Sequence, residues 1–305
     1  MMDYILTFLR ASFPFALEFM VFGMAMESAV AVRKADDAEV KKSPKSPYNW
    51  FLTLVQVSLI GFGGGWLMPI MLGLPSSFLL GGDINTFGCV ISWYLVFHSP
   101  SDFFYQKVCS FLPFQIFYIS GAQLFRATGI YGFVDKALTV GMKPCQYYPT
   151  PMLGPILTAS LLSNVGPIFR LGYKDWFKNG LPSNFQYSFV LSSFYHIYTN
   201  DLTGFLGKSL RLTLTSTPIL STIISTFDDD KDFCGCVIAL FMVVYGCCKL
   251  PSLIGGTFDP FKVPSEVLKN GLGLGDCNNR KREEEGSKKK GGKSRGRSQS
   301  RKKKD

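Results

Sequence analysis

Long apolar stretches separated by short polar connections recur along the chain between Tyr4 and Leu253. Each stretch has about the 20 residues that an α-helix needs to cross the hydrocarbon core of a bilayer. The pattern therefore predicts an all-α polytopic membrane protein with no independent soluble core. We place seven transmembrane helices near Tyr4–Val32, Trp50–Gly73, Ile84–Tyr105, Cys109–Leu138, Pro149–Tyr173, Phe185–Phe205 and Phe233–Leu253.

Two of these predicted helices contain residues that disfavour a regular helix. Unwound backbone is tolerated at membrane depth only where it is buried in protein or lines a watery cavity. We therefore expect these positions to be the hinges of a permeation or transport path. They are Gly61, Gly63, Gly64, Gly65 and Pro69 in the second helix and Asn164, Gly166 and Pro167 in the fifth. Because Gly61 and Gly65 have the GxxxG spacing, helix packing alone is the alternative explanation.

The spacing of the two breaks predicts an internal repeat. They lie about 100 residues apart, as matched breaks in an inverted repeat would. The sequence WYLVFHSPSD, which ends at Asp102, is echoed by SFYHIYTND, which ends at Asp201. We therefore predict an inverted repeat of three plus three helices, over about 4–105 and 109–205, followed by a seventh helix over about 233–253.

The charges of the connections predict the orientation, because cytoplasmic connections carry an excess of Lys and Arg. Arg33–Asn49 has five basic residues, whereas the next connection, Leu74–Asp83, has none. With seven spans the first connection shares a side with the C-terminal tail, so we expect a lumenal N-terminus and a cytoplasmic C-terminus. Leu210–Phe227 is apolar but rich in Thr, Ser and Pro. It is either an eighth span, which the charge rule disfavours, or a re-entrant or surface segment.

Composition separates an apolar body from a basic tail. Apolar residues make up 47% of the chain, and 28 of its 305 residues are Phe, which exceeds ordinary soluble usage. Asp276–Asp305 carries 13 Lys and Arg against 5 Asp and Glu. We therefore predict a transmembrane domain over 1–253 and a basic, disordered cytoplasmic tail over 254–305. Such a tail is attracted to anionic lipid, and we expect no nucleic-acid partner.

The sequence carries no motif typical of an enzyme or a metal site. The eight cysteines have no CxxC spacing, and most lie in or beside apolar runs. Walker, HExxH and GxSxG motifs are absent. The GFGGG run lacks the strand–turn–helix context of a dinucleotide fingerprint. We therefore predict that the protein is not an enzyme and has no catalytic residue, no bound metal and no covalent cofactor.

Ionisable residues inside predicted spans are candidates for function, because their burial in lipid is costly. Arg126 lies well inside the fourth span, and Glu18 and Glu27 lie in the first. Arg126 either tunes the electrostatics of a pore or a lipid contact, or forms an ion pair with Glu18 or Glu27 that holds two helices together. His98 and His196, near the ends of their spans, indicate interfacial helix ends rather than a proton relay.

The sequence WYLVFHSPSDFFY, followed by FLP at Phe111–Pro113 and preceded by the glycine-rich second span, resembles the trimeric intracellular cation channel (TRIC) family. The third-span residues Trp93, Tyr94, Pro100, Asp102 and Tyr105 carry the most specific part of the resemblance. The glycine and Asn-Val-Gly-Pro breaks correspond to the kinked second and fifth helices that bound the family's pore.

The resemblance implies a homotrimer in which each subunit has its own pore for potassium and sodium ions. In this family the channel provides counter-ion current across the endoplasmic or sarcoplasmic reticulum membrane while calcium is released. A basic pair on the fourth helix meets a phosphoinositide headgroup, such as that of phosphatidylinositol bisphosphate. Arg126 matches one member of that pair, but Ala122 replaces the other, so Lys107, Lys136 or other charges would have to contribute. Lys302–Lys304 resembles a dilysine signal that returns membrane proteins to the endoplasmic reticulum.

Two other functions share parts of this pattern. A secondary transporter of a small solute uses the same broken helices around a midplane site. A scaffold protein would use its small residues for helix packing only and its basic tail to recruit anionic lipid.

Overall fold

Helices form almost all of the regular structure in residues 2–42, 49–80, 83–166 and 182–250, which the computed structural model describes. The basic tail, Pro167 and the C-terminal part of the predicted fifth span lie outside these residues. The described part contains eleven α-helices, which are α1 (Met2–Leu9), α2 (Ala16–Lys42), α3 (Trp50–Leu72), α4 (Ser77–Leu80), α5 (Asp83–Phe97), α6 (Leu112–Thr139), α7 (Leu153–Leu162), α8 (Ser183–Thr199), α9 (Phe205–Ser216), α10 (Pro218–Ile224) and α11 (Asp230–Cys248).

The predicted all-helical architecture is confirmed, with long apolar helices in the described residues. By length and composition, α3 and α11 can each cross a bilayer alone. A third candidate is α6 together with the helical turns over Pro100–Val108, which meet it at an angle of 78°. The count of seven spans and the inverted repeat stay predictions.

The first predicted span, Tyr4–Val32, is not one helix. The chain turns between α1 and α2, where Ala11 and Phe15 have positive φ angles of 49° and 63°. Helix α2 then continues to Lys42, so four of the five basic residues that we assigned to the first connection belong to this helix. A straight helix can extend beyond the bilayer, and a hydropathy pattern marks only its apolar part.

The segment Leu210–Phe227 contains the C-terminal part of α9 and the whole of α10, which are two short helices. They have 12 and 7 residues, which correspond to lengths of about 18 and 10 Å at 1.5 Å per residue. Neither is long enough to cross a bilayer of about 30 Å. The structure shows no single helix of spanning length in this segment, and its assignment as a re-entrant or surface segment stays a prediction.

Helix α2 lies at the centre of the fold and packs against α3, α5 and α6. Its crossing with α6 brings the two backbones into contact, because Gly23 and Gly121 face each other. A Cβ atom at Gly23 would lie 2.6 Å from the Ala122 nitrogen, and one at Gly121 would lie 2.6 Å from the Phe19 carbonyl oxygen. Small residues allow such close approach between membrane helices.

Arg33, in the C-terminal half of α2, connects this helix to the turn that follows α5. Its guanidinium contacts Asp102 at 3.1 Å and Asp37 at 3.2 Å, and it lies over the rings of Phe97 and Tyr105. The side chain is only 10% exposed. The HSPSDFFY part of the sequence thus forms a tight turn that this buried cation holds against α2.

Candidate functional site

The glycine-rich segment lies in the middle of α3, which is kinked but continuous. The helix begins after Asn49, whose side chain accepts hydrogen bonds from the Phe51 and Leu52 amides, and ends before Gly73 in the left-handed conformation. Within it only Phe62 departs from helical geometry, with φ −118° and ψ 19°. The irregularity in this segment is a kink at Phe62, between Gly61 and Gly63, and the hinge role of these glycines stays a prediction.

The backbone of α3 touches the end of α7 and the turn that follows it at two glycines. A Cβ atom at Gly64 would lie 2.1 Å from the Leu162 carbonyl oxygen, and one at Gly166 would lie 2.2 Å from the Ile60 carbonyl oxygen. Both distances are far below a van der Waals contact. These two positions therefore require glycine because each faces the main chain of the other helix.

Gly61 and Gly65 face neighbours other than α7. A Cβ atom at Gly61 would lie 2.9 Å from the Ser28 hydroxyl, and one at Gly65 would lie 2.9 Å from the Ser77 hydroxyl. The Gly65 carbonyl accepts a hydrogen bond of 2.9 Å from the Ser76 hydroxyl. The glycines thus serve close packing on several sides of α3, rather than a single GxxxG face.

The break after α7 lies opposite this kink. Helix α7 ends at Leu162, and the chain turns through Ser163 and Asn164 before Val165 and Gly166 resume helical geometry. The Asn164 amide donates a hydrogen bond of 2.8 Å to the Ser160 carbonyl, and Asn164 is buried. A side chain thereby stabilises the turn from within.

A cavity of about 290 Å³ lies between α3, α6 and the end of α7. It brings together the predicted hinge residues that the structure describes, with the exception of Pro69, and Pro167 lies outside the described residues. Arg126 also lines it. The predicted residues at the cavity are Gly61, Gly63, Gly64, Gly65, Asn164, Gly166 and Arg126.

Sequence reasoning missed most of the wall that α6 contributes. Thr128, Gly129, Gly132, Phe133 and Lys136 all line the cavity. Together with Arg126 they recur at spacings of three and four residues, which place them on one face of a helix. This periodicity of small and polar residues was the signal that could have identified them.

The polar side chains that line the cavity include uncharged groups as well as the positively charged Arg126 and Lys136. Hydroxyl or amide groups come from six residues of five different segments, of which Ser163 lies next to Asn164. Such groups can replace part of the hydration shell of a small ion. They belong to Ser77, Asn85, Thr128, Ser163, Asn164 and Asn184.

Arg126 forms an ion pair with Glu27 of α2. Its Nη1 atom donates a hydrogen bond of 3.0 Å to Glu27 Oε1 and lies 2.9 Å from Oε2. Of the two carboxylates considered from sequence, Glu27 is thus the partner, whereas Glu18 is exposed. Arg126 both forms this ion pair and lines the cavity. A contact between two helices and a position at a pore wall are therefore compatible interpretations of the same residue.

A second cavity of about 480 Å³ lies on the other side of this ion pair. Arg126 and Asn184 line both cavities, whereas Glu27, Lys34 and Lys249 line only the second. Ala122 is fully buried in the crossing of α2 and α6. That position has no room for the basic residue that the resemblance would place there.

Among the described residues, no cluster of three or more His, Cys, Asp or Glu side chains is placed to hold a metal ion. The histidines differ in their environments. His98 is exposed and contacts the rings of Trp93 and Tyr94. His196 is fully buried, and its Nε2 atom lies 2.8 Å from the Pro151 carbonyl oxygen.

These features define a helical membrane protein with a polar cavity between a kinked and a broken helix. Residues 37–159 match the family model of the TRIC channel, so the family resemblance inferred from sequence is confirmed. A search of curated proteins finds no match.

Two solved structures are similar to this chain, and the first of them shares its fold. The chain is similar to a trimeric intracellular cation channel from C. elegans determined in the absence of Ca²⁺, with 15% identity and a TM-score of 0.52 over 81% of this chain and 96% of that one. The structure of a C. elegans channel with bound Ca²⁺ has 16% identity and a TM-score of 0.48 over 77% and 90% of the two chains.

Proposed function

We propose that this chain is a monovalent cation channel of the endoplasmic or sarcoplasmic reticulum, which carries potassium as counter-ion current during calcium release. The cavity between α3, α6 and the end of α7 is the observation that carries this proposal, because it combines helix irregularities with polar lining in a chain that matches the TRIC channel family. The cavity is the conduit in this proposal.

Side-chain oxygens are the first candidates for contact with the ion. The carbonyl oxygens of Ile60 and Leu162 abut glycines of the opposite helix, and that of Gly65 accepts a hydrogen bond. These groups are therefore engaged in packing. We expect the hydroxyl and amide groups of Thr128, Asn164 and the other polar lining residues to replace water around potassium or sodium.

Assembly and location follow the same proposal. We expect a homotrimer with one conduit in each subunit, in line with the trimeric channel that shares the fold. The N-terminus would be lumenal and the basic tail cytoplasmic. The excess of Lys and Arg in the first connection and the tail supports this orientation.

A phosphoinositide such as phosphatidylinositol bisphosphate is the lipid that the resemblance suggests as a partner. The buried position of Ala122 argues against the two-residue site of the family. Lys34 and Lys249, which line the second cavity with Arg126, offer other basic groups on that side of α6. Lys107 is exposed and is available for contact with headgroups.

The test is single-channel recording. Purified protein is reconstituted in planar bilayers with a potassium gradient, with and without phosphatidylinositol bisphosphate. We expect discrete current steps and a reversal potential that is shifted from zero towards the equilibrium potential of potassium. Absence of current at all voltages and lipid compositions would disprove the proposal. Saturable flux without current steps would instead indicate a secondary transporter.

A further inference from the structure

We propose that Glu27 determines the charge selectivity of the conduit by neutralising Arg126 at the cavity wall. The inference rests on the proposed channel function and assigns a role to a residue that does not itself line the cavity. It explains how a wall with buried positive charge remains compatible with the passage of cations.

The electrostatic problem is visible in the lining. Arg126 and Lys136 are the charged side chains among the described residues that line the cavity, and no carboxylate accompanies them there. Repulsion between like charges is much stronger in a protein interior than in water, because the effective dielectric constant is lower. An uncompensated guanidinium at this position would exclude potassium and favour anions.

The ion pair with Glu27 neutralises the positive charge of Arg126, whereas the charge of Lys136 is not affected. Glu27 contacts Arg126 at 2.9 and 3.0 Å and lines the second cavity but not the first. Its carboxylate therefore meets the guanidinium from behind, away from the proposed conduit. Lys136 is ten residues further along α6, about 15 Å along the helix axis, so Glu27 acts on Arg126 alone.

The fold fixes this pair. Gly23 and Gly121 bring α2 and α6 into backbone contact, and Glu27 and Arg126 lie four and five residues beyond these glycines. Both side chains are mostly buried, with exposures of 29% for Glu27 and 18% for Arg126. In the described part of the chain, the ion pairs of Arg126 are all with Glu27. The neutralisation therefore depends on this one carboxylate.

The experiment compares neutral variants in planar bilayers under a gradient of potassium chloride. Glu27→Gln removes the carboxylate and keeps its shape. Glu18→Gln is the matched control, because Glu18 lies on the same helix and is exposed. Arg126→Gln and the double variant Glu27→Gln/Arg126→Gln separate the effect of charge from the loss of a helix contact. Size-exclusion chromatography establishes the assembly of each variant.

We expect Glu27→Gln to lower both the potassium conductance and the potassium-over-chloride permeability ratio by about three- to tenfold. Glu18→Gln leaves both unchanged. The double variant returns both to within about twofold of the wild type, because neither charge is then present. If Glu27→Gln does not assemble, the double variant alone carries the test.

Two results would overturn the inference while leaving the channel itself in place. The first is a potassium-over-chloride permeability ratio in Glu27→Gln that equals the wild-type ratio. The second is a double variant that assembles but has a conductance or a permeability ratio as low as, or lower than, the values expected for Glu27→Gln. A silent wild-type protein is a different result. It removes the proposed function and, with it, the role of Glu27.

Discussion

Replacement of Gly64 by alanine tests the backbone contact that shapes the cavity. The new Cβ atom would lie 2.1 Å from the Leu162 carbonyl oxygen and 3.1 Å from the Phe133 ring. Main-chain atoms cannot rotate away as a flexible side chain can. Helix α3 and the end of α7 would have to separate by more than 1 Å, since an ordinary carbon–oxygen contact is about 3.3 Å.

The magnitude follows from the cost of overpacking. An extra methyl group in a closely packed core destabilises a protein by about 1 to 3 kcal/mol, against a gain of about 1 kcal/mol in helix propensity when alanine replaces glycine. We expect the contact to outweigh the propensity at this position. For a domain of this size each kcal/mol corresponds to about 2 to 4 °C in Tm.

The assay is thermal unfolding of the detergent-solubilised protein, followed by size-exclusion chromatography after heating, together with conductance in bilayers. Gly132→Ala is the matched control, because Gly132 lines the same cavity and a Cβ atom there has no neighbour within 4 Å. We expect Gly64→Ala to lower Tm and change conductance, and Gly132→Ala to keep or raise Tm. Equal Tm values for the two variants would refute the argument.

Three further predictions concern other contacts. Arg33→Gln should lower the free energy of unfolding by about 1 kcal/mol, because Asp37 and Asp102 lose a charged partner but are 32% and 36% exposed to water; a Tm equal to the wild type in thermal unfolding would contradict this. The Asp201 carboxylate is fully buried and accepts hydrogen bonds from the Thr150 and Tyr148 hydroxyls and from the Gly207 amide. Asp201→Asn replaces one acceptor oxygen by an NH2 donor and should therefore lower the free energy of unfolding by about 1 to 3 kcal/mol; an unchanged Tm would exclude this role. Ala122→Lys should prevent assembly rather than increase phosphoinositide binding, since the site is fully buried; stable protein with tighter binding to phosphoinositide vesicles would show the reverse.

The α3 kink shows which features of a helix the residue pattern can predict and which it cannot. Glycine spacing predicted where the helix is irregular, because glycine and proline have local effects that do not depend on the rest of the fold. It did not predict that the helix stays continuous. Continuity depends on the neighbours, and here the Leu162 carbonyl and the Ser76 hydroxyl occupy the space around Gly64 and Gly65.

The candidate site shows the same division. The position of Arg126 inside an apolar segment marked it as a candidate for function, since charge in such a segment is costly wherever the segment packs. Its partner was left open between Glu18 and Glu27. Only the crossing of α2 and α6 at Gly23 and Gly121 brings Glu27 rather than Glu18 to the guanidinium.

The sequence by itself determined the class of protein, the approximate helices and the residues that interrupt them, because length, hydropathy and glycine content act locally along the chain. Tertiary structure alone decided which faces meet, which carbonyl oxygens are engaged in packing and which carboxylate neutralises Arg126. These properties depend on contacts between residues far apart in sequence, and small backbone separations that no periodicity encodes determine such contacts.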